Sequence, residues 1–416
     1  MELSDAEAAI VQQPFVQRLR GIRQVGYSYI PFPGATHSRF AHCLGVMHLA
    51  GLAFDRAYRG WEFTGPAVRE RLRAAVRLAA LSHDLGHAPY SHCTEFAMPP
   101  VDQLGITWYR NSAAKRRATH EDYTIAILQH ASLNRAIGEG FPCTAQHVAA
   151  LISGDVRVTD DFFVDGGLDH RRLLSQLISS DLDVDRLDYL VRDATFTGAQ
   201  YGLVDVKWIL SSLSTHVAHG QVWLAVDGLG LYAVDDFLVA RHHMFLQVYF
   251  HHKSVVYEEM LKRYVQEASG DWSIPADLDA YLWVDDAHLE VHLRGATNTW
   301  ARRIVEHREY RRVVERRGSS EQVSVDREEQ LLRRAGIEPI RAESTGRLSR
   351  YALHRRAGTE LFVKERLPGQ ATTKVQPLTE ATQVFERYGD AHRIARLYVA
   401  PEERSRAMQA LGLTPR

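Results

Sequence analysis

Four side chains able to bind a metal or move a proton stand close together in the run SHDLGHAPYSHCTE: His83, Asp84, His87 and His92. Imidazole nitrogen and carboxylate oxygen are donors that borderline and hard divalent cations accept. Histidine also exchanges protons near neutral pH. The run therefore points to metal chemistry, acid–base chemistry or both. Taken singly, each residue has an ordinary explanation. A histidine can sit at the boundary of an apolar face and an aspartate can cap a helix, and a chain of this composition contains roughly one His-Asp dipeptide by chance. Taken together they resist that explanation, because the run is otherwise apolar enough to be buried and unpaired polar groups are costly there.

The elements around the run must bring both members of the dipeptide to one point. Ala74 to Leu81 is an apolar stretch at helical spacing that leads directly into His83 and Asp84. Neighbouring residues on a regular helix point in different directions, so both reach one ion only where the helix ends; Gly86 and Pro89 supply that ending. Further donors are required. The natural candidates are His42, on a helix expected over Ser38 to Tyr58, and Asp185, in the run SDLDVDRLDYLVRD. Two imidazoles and two carboxylates suit Mg, Mn, Fe or Zn and leave positions open for water and a phosphate oxygen. Arg39 precedes His42 by three residues, which places guanidinium and imidazole on one helical face and lets a phosphate bridge Arg39 and the metal. Tyr189 and Asp193, four residues apart, share a face in the same way; the bland reading of this stretch is helix-surface pairing, such as an Asp188 to Arg192 ion pair. A second histidine-rich run, RHHMFLQVYFHHK, is expected to form a helix beside the site, with Lys253 as its phosphate contact.

The chain has 416 residues, 45% hydrophobic and 24% charged, an ordinary globular balance. Lys plus Arg number 50 against 51 Asp plus Glu, so no overall field holds the protein on nucleic acid or an anionic membrane, and an anionic ligand has to be captured locally. Cys43, Cys93 and Cys143 are an odd number without CxxC pairs, which argues against a disulfide framework or a cysteine zinc site and fits a reducing cytoplasm. No segment approaches the roughly 20 apolar residues that span a bilayer. Apolar residues recur at helical spacing from about Leu3 to Lys262, for example Phe40, Leu44, Met47, Ala50 and Phe54, or Leu174, Leu177 and Ile178. Within that stretch, Val222, Leu224 and Val226 alternate before Gly228 to Gly230 and a second short run, which predicts a hairpin there, followed by a long helix capped by Asp235 or Asp236. Beyond about Pro275 a helical Arg302 to Arg317 stretch with a solvated face, a break at Gly318, and short β-like pieces near Leu361 to Val363 and Leu397 to Val399 are expected. The expected fold is mainly α: a helical catalytic domain with a small β-hairpin over residues 1–265, and a smaller mixed α+β region over 266–416 that packs, oligomerises or regulates.

Five blocks in order, FVQRLRGIRQVG (Phe15 to Gly26), PGATHSRFAHCLGV (Pro33 to Val46), LSHDLGHAPYSHCTE (Leu81 to Glu95), THE (Thr119 to Glu121) and DVDRLDYLVRD (Asp183 to Asp193), resemble the HD-domain deoxynucleoside triphosphate triphosphohydrolases. The resemblance covers roughly the first 265 residues. It implies an HD helical core, His42, His83, Asp84 and Asp185 as metal ligands, and His87, His92 and His120 along the triphosphate. Arg39 and Arg186 would meet phosphates; Gln24, Tyr189 and Asp193 would meet the sugar. The implied reaction releases deoxynucleoside and inorganic triphosphate. It needs an activated water, neutralised charge on the α-phosphate, and a proton for the departing 5′ oxygen. His92 is the expected acid, with Glu95 pairing to His92 or His120 and holding an imidazole protonated; the bland reading of Glu95 is a surface carboxylate. The resemblance also implies a homo-oligomer, dimer or tetramer, and an activating nucleotide.

Some positions depart from the family pattern. The strand-like segment that usually precedes the first matching helix is expected to be missing or to begin elsewhere, and no SAM domain is expected before the core. Gln17 and Arg20 match positions that help bind an activating nucleotide in some relatives, whereas Gln12 stands where an acidic residue reads guanine. Arg186 replaces a lysine, keeping charge but changing donor geometry. The same metal cage would also serve a nucleotide phosphomonoesterase or phosphodiesterase. A nucleotide-sensing or nucleic-acid-binding scaffold is a third reading, and the intact ligand set speaks against it.

Overall fold

The computed structural model of the chain describes residues 2–111, 115–267, 272–319, 323–346, 360–366, 373–385 and 392–413. After two short helices, α1 (Asp5–Val11) and α2 (Pro14–Arg18), the helical domain is built on α3 (Arg39–Ala57) and α4 (Pro66–Ser82). Ser38 precedes α3 in extended conformation, and Phe40, Cys43, Met47, Ala50 and Phe54 are buried along one stripe. Pro66 opens α4 at its first position, where the missing N–H costs nothing. His83 stands at its C-terminal end, so the expected termination at the His-Asp pair is where the helix stops.

Further helices close the domain: α5 (His120–Gln129), α6 (Ala131–Gly140), α7 (Ala145–Ile152), α8 (Arg171–Ile178) and α9 (Val184–Thr197). Thr119 and Asp122 form a reciprocal capping box, which makes His120 the first residue of α5. Asp183 caps α9 by accepting from the Arg186 amide. Close approach of α9 to α3 depends on Gly45, because a Cβ there would lie 1.9 Å from Asp188 Oδ1 and 2.5 Å from Arg192 Nη2. No helix among the described residues is long and apolar enough to cross a membrane, and the three cysteines are free thiols.

After α10 (Val206–Ser211) comes a hairpin, but not the one expected. Short strands β1 (Val164–Asp165) and β2 (Leu168–Asp169) precede it; β3 (Leu213–Ala218) then pairs antiparallel with β4 (Gln221–Asp227). Its turn is His219-Gly220, both at positive φ (51° and 72°), the backbone that a tight hairpin needs. Gly228 to Gly230 is instead a short helical turn that runs into α11 (Leu231–Met244), capped by Asp227 accepting from the Leu229 amide. Asp235 and Asp236 therefore lie inside α11 rather than at its start. α11 gives way to a wide helical turn (Phe245–Tyr249) before α12 (His252–Glu267), so the second histidine-rich run is divided between two helices.

Downstream are α13 (Leu278–Tyr281), α14 (Asp286–Gly295), α15 (Thr299–Val305), β5 (Arg311–Ser319), α16 (Asp326–Arg334), β6 (Ile340–Gly346), β7 (Phe362–Arg366), β8 (Thr373–Pro377), α17 (Leu378–Ala381), β9 (His392–Val399) and α18 (Arg404–Ala410). The expected helix over Arg302 to Arg317 ends at Val305, and Arg311 onward is a strand whose pairing with β9 continues through Gly318. Tertiary pairing overrides the helical charge pattern here: Glu315 takes Arg396 of β9 at 2.6 Å, and Arg316 reaches Glu328 of α16 at 2.5 Å. The expected β-like pieces lie within β7 or directly before it, and within β9. The sheet order is β5-β9-β6, over a small apolar cluster of Val314, Val325, Leu332, Leu397 and Val399. β7 adds in parallel to β4 of the hairpin, and Leu361 and Val363 join the main apolar core.

Candidate metal centre and its histidine neighbours

Three chain segments deliver the four residues of the first cluster. His42 comes from the first turn of α3, His83 and Asp84 from the end of α4, and Asp185 from the first turn of α9. Ligand atoms of His42, His83 and Asp84 all lie within 4.8 Å of one another. Asp185 Oδ1 is 3.0 Å from His42 Nε2 and 3.5 Å from His83 Nε2. Each imidazole is oriented from behind. His42 Nδ1 lies 2.8 Å from Asp188 Oδ2, and His83 Nδ1 lies 2.7 Å from the Ala80 carbonyl. Both partners are acceptors, so each Nδ1 carries the hydrogen and each Nε2 is left as a ligand lone pair.

The two Nε2 atoms are buried with no aligned hydrogen-bond partner among the described residues. Carboxylates surround them. Against burial, which lowers it, Asp185 and Asp188 raise the His42 pKa to about 10; against the same penalty, Asp84 and Asp185 raise that of His83. Buried donors that converge without bonding one another, in a setting that draws positive charge, fit a divalent cation.

Asp84 joins this cluster to a second one. Its Oδ1 is 3.2 Å from His87 Nε2, and its other oxygen pairs with Arg39. The His87 and His120 rings stack at 4.0 Å, and His92 stands edge-on to them at 4.7 and 5.1 Å. Glu95 holds the group together. One oxygen accepts from the His120 amide (3.0 Å) and lies 2.8 Å from its Nδ1, and the other lies 3.2 Å from His92 Nδ1. Both expected partners are therefore engaged at once. Although Glu95 acts to raise it, the His92 pKa lies below its ordinary value, lowered by desolvation first and then by the His120 and Arg39 charges. Burial, with Arg39 and His120, lowers that of His87 further.

The remaining residues singled out in the sequence are placed unevenly. Arg39 is buried in the site, its Nε donating to Ser91 Oγ at 2.7 Å. Gln24 is buried, and its side-chain oxygen has no hydrogen-bond partner among the described residues. Asp193 is held by His37 Nε2 and the Tyr249 hydroxyl, each at 2.7 Å, and the Tyr249 ring lies edge-on to Tyr189 at 6.2 Å. Arg186 turns onto Asp183 and the Ser180 carbonyl. Lys253 pairs with Glu309 at 3.9 Å and joins neither cluster in any ion pair or hydrogen bond among the described residues. Asp188 does pair with Arg192 (2.7 Å) and also braces His42. That bracing role is visible in retrospect, since Asp188 lies three residues after Asp185 on α9. Ser91, His37 and Tyr249 carry no comparable spacing signal.

The loop between α4 and His92 is gripped from outside. Arg18 is buried and donates to the His87 carbonyl (2.9 Å) and to the carbonyls of Tyr281 and Val284. The Tyr281 hydroxyl donates to the Gly86 carbonyl (2.9 Å), and Asp286 accepts from the Tyr90 amide (2.6 Å). Beside His92, Cys93 Sγ donates to Glu258 Oε1 at 3.4 Å, and burial raises the Glu258 pKa to about 7. A carboxyl whose folded pKa exceeds its unfolded value of about 4.3 binds protons more tightly when folded, so its contribution to stability falls as pH rises between those values. Glu258→Gln should therefore raise stability at pH 8 by about 1 kcal/mol and leave it unchanged near pH 4. Urea titrations at the two pH values check this, and an equal effect at both would refute it.

Residues 39–193 match the HD domain family and residues 204–345 match the HD associated region. An uncharacterised protein of Methanocaldococcus jannaschii is 29% identical over 312 residues, 75% of this chain and 57% of that protein. A deoxynucleoside triphosphate triphosphohydrolase SAMHD1 homolog of Dictyostelium discoideum is 35% identical over 200 residues, 48% of this chain and 35% of its own length. The chain spans about half the length of the curated relatives it matches. The crystal structure of a hypothetical protein from Aquifex aeolicus superposes with a TM-score of 0.72 over 98% of this chain and 96% of that one, at 21% identity, which establishes a shared fold.

Proposed function

Because this chain carries an HD domain followed by the HD associated region, we propose that it is a phosphohydrolase that converts deoxynucleoside triphosphates to deoxynucleoside and inorganic triphosphate. The observation that carries the reading is the junction at Asp84, where a converging His-Asp donor set adjoins three histidines and Arg39. Four triphosphohydrolase relatives, including the Dictyostelium protein, support the substrate class.

His42, His83, Asp84 and Asp185 would hold a divalent cation, which when bound activates water and offsets phosphate charge. Arg39 adds a buried positive charge that a phosphate can share with Asp84. The neutral His87 ring has Asp84 on its Nε2 side and the stacked His120 ring over its face, so the pair forms a wall against which a triphosphate can lie. His92 opens toward solvent, its side chain 64% exposed, and Glu95 fixes its Nδ1. Its Nε2 is thus the end that can deliver a proton to the departing 5′ oxygen. Gln24, Tyr189 and Asp193 form the sugar end, where the Gln24 oxygen can accept from a hydroxyl.

The test is product analysis. The protein is incubated with each deoxynucleoside triphosphate and Mn, Mg or Fe, and the products are separated by chromatography. Nucleoside together with intact inorganic triphosphate is expected. Release of orthophosphate with nucleoside diphosphate would replace the proposal with a different HD hydrolase.

A further inference from the structure

A cavity of about 440 Å³ opens between α7, α8 and the β2–β4 pair, and none of its lining residues belongs to either histidine cluster. Its polar lining includes Arg110, Arg171, Arg172, Asp169, Ser175 and Gln221. Three arginines and one aspartate thus line the cavity, and none of the three arginines has an ion-pair partner among the described residues, although elsewhere in this chain arginine is repeatedly paired. Arg171 is held rigid rather than neutralised. It donates to the Ala150 carbonyl (2.9 and 3.1 Å) and to the Val156 carbonyl (3.0 Å), and its amide is taken by Asp169 Oδ1 (2.8 Å). Arg172 lies 5.2 Å over the Trp223 ring, which positions its charge without cancelling it. Burial lowers the Arg171 pKa, and the nearby Arg110 and Arg172 charges lower it further. Closing the C-terminal end of α7 explains Arg171 alone and leaves Arg110 and Arg172 unaccounted for.

We propose that this cavity is a binding site for a small, multiply charged phosphate compound, separate from the HD centre. Forked guanidiniums match phosphate oxygens in pairs, the Ser175 hydroxyl and Gln221 amide add neutral donors, and the volume lies within the range of small-ligand pockets. A nucleic-acid backbone fits less well, because the chain carries net charge −1 and the cations are gathered in one concavity rather than along a stripe.

Hydrogen exchange read by mass spectrometry locates the ligand directly. Full-length protein is exposed to inorganic pyrophosphate or to ADP, each at up to 5 mM. Protection is expected in peptides covering 145–156 and 168–180. Arg110→Ala with Arg172→Ala should weaken it by at least about 30-fold, from the loss of two charge-assisted contacts, while protection around 83–95 persists. Ser175→Asp, which adds a carboxylate at the lining and leaves the arginines in place, should have the same effect. Equal protection by both compounds means that phosphate alone is read, and stronger protection by ADP means that the natural ligand is a nucleotide. Absence of protection at 168–180 with either compound, or protection that survives in both variants, would overturn the proposal.

Discussion

Asp185→Ala should reduce nucleoside release by more than about 10³-fold, and bound metal should fall with it. Asp185 Oδ1 lies 3.0 Å from His42 Nε2 and 3.5 Å from His83 Nε2, neither of which has an aligned hydrogen-bond partner among the described residues, so its loss removes a donor that faces both imidazoles. Metal-site stabilisation of a phosphoryl transition state is worth several kcal/mol, whereas a positioned acid such as His92 contributes about 10²- to 10⁴-fold. The ligand variant should therefore be at least as damaged as His92→Ala, and it alone should lose metal. Nucleoside release by chromatography and metal content by plasma mass spectrometry are the two readouts. Undiminished turnover with Asp185→Ala would remove the carboxylate from the centre and defeat the proposed chemistry.

Gly86→Ala should be nearly as harmful by a different route. A Cβ at this position would lie 2.0 Å from the His120 carbonyl oxygen and 2.5 Å from the Thr124 amide nitrogen, both backbone atoms of α5. The loop and α5 would have to separate, which breaks the Gly86 amide to Thr124 Oγ1 bond (3.0 Å), the Thr124 Oγ1 to His83 carbonyl bond (3.0 Å), and the His87–His120 stack. Overpacking against backbone at a buried, bonded position should cost about 3 kcal/mol or more, with loss of activity even in the molecules that remain folded. Gly138→Ala is the comparison: nothing lies within 4 Å of its Cβ, in α6, and it should be neutral or stabilising by up to about 1 kcal/mol. Equal melting curves for the two variants would show that the close approach at Gly86 is unimportant.

The contrast between those glycines shows what could be read without coordinates. Gly86 was legible as the end of a helix, because an adjacent His and Asp can meet one point only where the helix stops. Its second role, admitting α5, was not, since contacts between distant segments leave no periodic trace. The four converging donors were legible because their residue types are chemically demanding and their helices strongly periodic. Arg186 stands out through the family resemblance and Lys253 through its charge beside a histidine-rich run, and neither signal reveals a nearer partner: Asp183 takes one and Glu309 faces the other. The displaced hairpin has a similar cause. Val222, Leu224 and Val226 alternate as a strand should, but their direction of pairing was set by His219-Gly220 rather than by the richer glycine run that follows. The stretch 311–319 shows the limit of charge patterning, because its helical sign alternation is satisfied equally well across a sheet.

The outside grip on the α4–His92 loop bears on how the chain can be divided. Carbonyls of Gly86 and His87 and the amide of Tyr90 are tied to Arg18, Tyr281 and Asp286, which come from the extreme start of the chain and from beyond residue 265. The change in sequence character near 265 is therefore crossed by hydrogen bonds to the loop backbone. The downstream region acts as the bench vice for the loop that carries His83, Asp84 and His87. Whatever shifts the 281–286 segment acts on those three side chains through hydrogen bonds to the backbone that bears them, without having to reach the cleft itself.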